Sequence, residues 1–93
     1  MGLRPPMAEI LVNLMGWTGV VLLLIAYGLV STKRCTGDSV IYQSLNITGA
    51  LLLIINSFYF GAYPSVGVNV AWVGIGLFTL ITTIKKRGVA RTS

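Results

Sequence analysis

The sequence contains no histidine, one cysteine and only two acidic residues among 93. Zinc clusters, carboxylate dyads, Ser-His-Asp triads and internal disulfides therefore cannot be assembled within one chain. Glycine-rich phosphate loops of the GxGxxG or Walker type are also missing. No catalytic residue, cofactor or metal is expected. Charge is scarce too, at 10% of residues, and it is absent from Ser39 to Phe60 and from Pro64 to Ile84. The net charge of +5 comes from basic residues that flank apolar runs, a pattern that suits lipid headgroups and not nucleic acid.

What is present is apolar. At 55% hydrophobic and with positive mean hydropathy, the chain is too greasy for a soluble domain of this size. The expectation is an all-α integral membrane protein, a bundle of three transmembrane helices at about 9–31, 39–60 and 64–84. Each run approaches the ~20 residues that a helix needs to cross a bilayer. Residues 1–8 then form an extracytoplasmic tail, 9–84 the membrane domain and 85–93 a basic cytoplasmic tail. Ile10 to Val30 exceeds a typical signal-peptide core, and no small-x-small cleavage site precedes Lys33, so the first run is read as a mature helix.

Three crossings put the first loop and the C-terminus on one side. That side carries Lys33, Arg34, Lys85, Lys86, Arg87 and Arg91, against Arg4 alone on the other. The positive-inside rule places the C-terminus in the cytoplasm and the N-terminus outside, in a bacterial inner membrane. Cys35 is then a reduced thiol in a cytoplasmic loop. In that loop Asp38 or Ser39 is a natural N-cap for the second helix; Asp38 could alternatively gate the cytoplasmic mouth by pairing with Lys33 or Arg34. Trp17 and Tyr63 fall toward an outer aromatic belt, Tyr27 and Tyr42 toward an inner one.

Polar residues inside the spans face other helices or a cavity, because an uncompensated amide in lipid is costly. On the second span Gln43, Asn46, Gly49 or Ala50, Leu53 and Asn56 or Ser57 recur at helical spacing. On the third, Asn69, Gly76, Thr79 and Thr83 do so with Trp72 beside them; the first offers Asn13, Gly16, Trp17, Val20, Tyr27 and Ser31. Glycines 16, 19, 49, 74 and 76 would let backbones approach closely. The amides can be interhelical glue, or they can bind a polar, uncharged ligand, since asparagine both donates and accepts.

Gly16-Trp17, Tyr27, Asn46-x-x-Gly49 and Gly61-x-x-Pro64 followed by Asn69 resemble the semiSWEET and PQ-loop small transporters over about residues 14 to 86. The resemblance implies a parallel homodimer working by alternating access, with Asn69 matching the pocket asparagine of the third helix. Asn46 stands where that family's pocket tryptophan lies. Leu29-Val30 stands where its proline-glutamine hinge lies, so Gly28 would supply the flexibility. On this basis Asn69, Asn46, Trp72, Asn56 and Gln43 are the candidate substrate-binding residues for a small polar uncharged solute. The chain also looks like uncharacterised bacterial three-helix proteins, as a distant branch of that fold. The alternatives are a non-transporting small subunit or assembly factor of a larger membrane complex, or a phage-type holin.

Overall fold

The computed structural model describes residues 6–92, with side chains through residue 87. Arg4 and the side chain of Arg91, both used in the charge count above, lie outside the described residues. Three helices follow one another: α1 (Pro6–Ser31), α2 (Val40–Tyr59) and α3 (Tyr63–Thr92). All three are long and apolar enough to cross a membrane. Two boundaries differ from the sequence reading. Helix α1 already includes Pro6, the first described residue, ahead of the expected start at about residue 9. Helix α3 does not stop at Ile84 but continues through the basic stretch, whose positive charges suit a helix C-terminus.

The two turns are built alike. At the end of α1, Arg34 N–H donates to Leu29 O at 2.8 Å and Lys33 N–H to Val30 O at 3.0 Å. At the end of α2, Ala62 N–H donates to Ser57 O at 2.8 Å and Gly61 N–H to Phe58 O at 3.2 Å. Both are Schellman closures, which place one residue in the left-handed region. Gly61 holds that position with φ 75°, and Lys33 holds it with φ 63°. Ser39 then caps α2, its hydroxyl accepting from Tyr42 N–H at 3.0 Å.

Asp38 does not form the alternative gate with Lys33 or Arg34. Its carboxylate accepts from the Thr36 hydroxyl at 2.6 Å, while its carbonyl accepts from Thr83 Oγ1 at 2.7 Å. The Thr36 bond, with help from Lys86 and Arg87, holds the carboxyl below its ordinary pKa. The loop is thus turned toward the end of α3, because that is where Thr83 and the nearest cations stand.

Helix α2 is the middle of the molecule. It packs against both α1 and α3, whereas α1 and α3 bring no Cα atoms within 8 Å of each other. The α1–α2 seam is made of small residues. A methyl group built on Gly19 would lie 2.7 Å from Gly49 O, and one on Gly49 would lie 2.9 Å from Gly19 O. Such backbone contact is how helices associate where water supplies no hydrophobic drive. The buried positions on α2 are Gln43, Asn46, Gly49, Ala50 and Ser57, the stripe read from the sequence.

On α1 the expected residues divide between a packed side and a side turned to the clefts. Val12, Gly16, Gly19 and Ala26 are buried, while Asn13, Trp17, Tyr27 and Ser31 are exposed beside them. The reason is steric: the backbone approach at Gly19 leaves no room on that line for Trp17 or Tyr27. Trp17 stands near the middle of α1, not at its outer end. Gly74 has nothing within 4 Å of a built methyl and makes no close approach.

Candidate solute site

Between α1 and α3, whose backbones stay apart, runs a groove with α2 as its floor. One cleft in it, about 290 Å³, is lined from all three helices. Helix α1 supplies Leu23, Ala26 and Tyr27, α2 supplies Tyr42 and Asn46, and α3 supplies Val68, Asn69 and Trp72. A second cleft of about 210 Å³ lies toward the N-terminal end of α1, between Asn13, Gly16, Trp17, Val20, Leu53 and Asn56. At about 100° per residue, Tyr42, Asn46 and Leu53 share an arc of roughly 40° on α2. Asn13, Trp17, Val20 and Tyr27 share about 80° on α1 on the same scale. Both clefts therefore open along one side. Neither is lined by a lysine, arginine, aspartate or glutamate.

A chain of amides organises the larger cleft. Trp72 Nε1 donates to Asn46 Oδ1 at 2.8 Å, and Asn46 Nδ2 donates to Gln43 Oε1 at 3.4 Å. Gln43 Nε2 donates in turn to Gly37 O at 2.8 Å, so the relay ends in the first loop. Gln43 and Asn46 are among the few buried polar side chains, at 6% and 7% exposure. Their burial is tolerable because each is bonded, and the chain closes α3 onto α2. Gly76 makes room for it, since a methyl there would meet Gln43 Oε1 at 2.9 Å.

The other amides separate by role. Asn69 Nδ2 donates within its own helix, to Ser65 O at 2.9 Å, and reaches Ser65 Oγ at 3.4 Å. Ser65 and Ser57 hydroxyls meet at 2.8 Å, joining α3 to α2 near the tight turn. Asn56 Nδ2 donates to Val12 O at 3.0 Å, across to α1. Of the five candidate residues, Asn46, Asn69 and Trp72 line one cleft. Gln43 lies behind it in a smaller space with Asn46 and Trp72. Asn56 belongs to the second cleft and fastens two helices.

Tyr27, which the sequence reading also placed on the inward face of the first helix, and Tyr42, which it placed only in an aromatic belt, both line the larger cleft. For Tyr42 the signal was present, since it precedes Asn46 by one helical turn on the same stripe. Gly28, the candidate hinge, sits within the continuous α1, with nothing within 4 Å of a built methyl. Its carbonyl accepts from both the backbone N–H and the hydroxyl of Thr32.

Residues 12–87, most of the chain and all of both clefts, match a family model of unknown function. The chain belongs to that family. No curated protein and no solved structure matches it. Family membership thus covers the groove without assigning it an activity, and the chemistry has to be argued from the residues.

Proposed function

We propose that the chain is half of a carrier, two parallel copies facing each other across their grooves and passing a small polar uncharged solute by alternating access. The observation that carries this reading is an uncharged cleft, lined from all three helices and open on one side. In hydrocarbon the amide of Asn13, the indole of Trp17 and the phenols of Tyr27 and Tyr42 would be costly if left to lipid. A second copy laid over the groove encloses them in a shared, wet interior. Sites at mid-membrane between repeated bundles, around which the bundles rock, are a recurrent carrier design. The independence of α1 and α3 favours such rocking, because each can tilt on α2 without breaking a contact with the other. The resemblance to semiSWEET proteins points the same way. The proposed setting is a bacterial inner membrane with the basic end of α3 in the cytoplasm.

The test is crosslinking followed by reconstitution. In a Cys35→Ser background, Val20→Cys should form a disulfide-linked pair in membranes, since Val20 stands on the groove side of α1. Proteoliposomes should then accumulate a neutral solute, and the crosslinked pair should not. A monodisperse monomer in mild detergent, with no crosslink in membranes, would refute the dimer and the carrier together. A cysteine appended at the C-terminus and labelled by an impermeant reagent in intact cells would refute the orientation.

A further inference from the structure

The larger cleft has a definite inventory of committed and free polar atoms. The Trp72 indole N–H is used by Asn46, both ends of the Asn46 amide are used, and Gln43 reaches away to Gly37. Asn69 spends its N–H groups on Ser65, which leaves Oδ1 with no donor among the described residues. The Tyr27 and Tyr42 hydroxyls likewise bond to no described residue. One free carbonyl oxygen and two phenols are thus set among aromatic rings from three different helices. No charge lines the cleft, so an ion would be stripped of water with nothing in return. A volume of about 290 Å³ is at the small end of ligand clefts and suits a single ring or its equivalent.

We infer that this cleft recognises a small, flat, uncharged molecule that donates a hydrogen bond, with Asn69 Oδ1 as its acceptor and Asn46 as a positioning residue. This deepens the carrier proposal and rests on it for the choice of site. Asn46 does not touch the solute; it holds the Trp72 ring as one wall by accepting its N–H. Asn69 reads the solute's donor, and the rings of Tyr27, Tyr42 and Trp72 supply the flat surfaces.

Three flat probes of similar size test this: benzamide, acetophenone, which has no N–H, and benzoate, which is anionic. Binding to the purified protein is read from Trp72 emission in a Trp17→Phe background. Benzamide should titrate saturably and bind about ten-fold tighter than acetophenone, the worth of one well-placed hydrogen bond. Benzoate should bind at least as weakly as acetophenone. No saturable response to benzamide, equal affinity for acetophenone, or tight benzoate binding would each overturn the inference. The roles are separated by two variants. Asn69→Leu should bring the ratio of the benzamide and acetophenone affinities to about one. Asn46→Leu should weaken both and keep the ratio, because it unfastens the wall and leaves the acceptor in place. The reverse pattern would overturn the assignment. If the probe pattern holds while proteoliposomes move no solute, recognition stands and the carrier proposal fails.

Discussion

Gly19→Ala and Gly28→Ala are the same change on the same helix, and the structure gives them opposite signs. In an isolated helix the exchange favours alanine by about 1 kcal/mol, because glycine loses more backbone freedom on folding. At Gly28 nothing lies within 4 Å of the added methyl, so that gain is kept. At Gly19 the methyl meets Gly49 O at 2.7 Å, with Leu52 Cβ and Leu53 Cγ both at 3.2 Å. An ordinary carbon–oxygen contact is about 3.4 Å or more, and the oxygen is backbone, so no rotamer relieves the clash. The helices must separate by roughly half an ångström or more along a seam made of small residues. Overpacking of this kind costs about 1–3 kcal/mol, which outweighs or cancels the propensity gain. The two variants should therefore differ by about 1–3 kcal/mol, Gly28→Ala being the more stable. Reversible unfolding in mixed micelles, followed by helical circular dichroism, measures the difference directly. Equal shifts of the same sign would refute the close α1–α2 approach and the packing argument built on it.

The two Schellman closures predict a pair of opposite effects in the same assay. Lys33→Gly should stabilise by about 1 kcal/mol and Gly61→Ala should destabilise by a similar amount, because a Cβ is disfavoured in the left-handed region. Unchanged stability in both would refute that backbone geometry. Asn56→Leu should cost roughly 0.6–1.7 kcal/mol by cutting the link to Val12 O. It should leave benzamide binding unaltered in the Trp72 emission titration, since Asn56 stands in the other cleft. Asp38→Asn should destabilise at neutral pH and lose its effect in acid. A depressed carboxyl pKa contributes stability that is present above its unfolded value and lost as pH falls through the folded one. Thr36→Val should move that loss to higher pH, which urea titration at stepped pH would detect.

Much of the architecture was legible because charge and length are strong signals in a short apolar chain. Uninterrupted runs located all three helices, and Ser39 announced the start of α2. The inward stripe of α2 was also legible. Helix α2 touches neighbours on both flanks, so its small and polar residues carry the whole pattern. Helix α1 was harder, since it has one packing neighbour and a second side turned to the groove. Its glycines mark the first side and its polar and aromatic residues the second, and the sequence reading merged the two. The roles of the asparagines were not legible, because an amide's partner depends on helix rotation and on which groups the neighbouring helices present. Asn46, Asn56 and Asn69 look alike in the sequence, yet one is tied to an indole, one to a carbonyl of α1 and one to its own helix.

That the backbones of α1 and α3 each pack against α2 and not against each other has a consequence for biogenesis. Every tertiary contact among the helices joins neighbours in the chain, so the contact order is low and no helix must wait for a distant partner. As the ribosome delivers α2 to the bilayer, the α1–α2 hairpin can form at once, and α3 docks on the free flank when it emerges. The molecule is accordingly divisible. Two fragments separated between Tyr59 and Tyr63, co-expressed in one membrane, should reassemble through the Trp72–Asn46 and Ser57–Ser65 bonds.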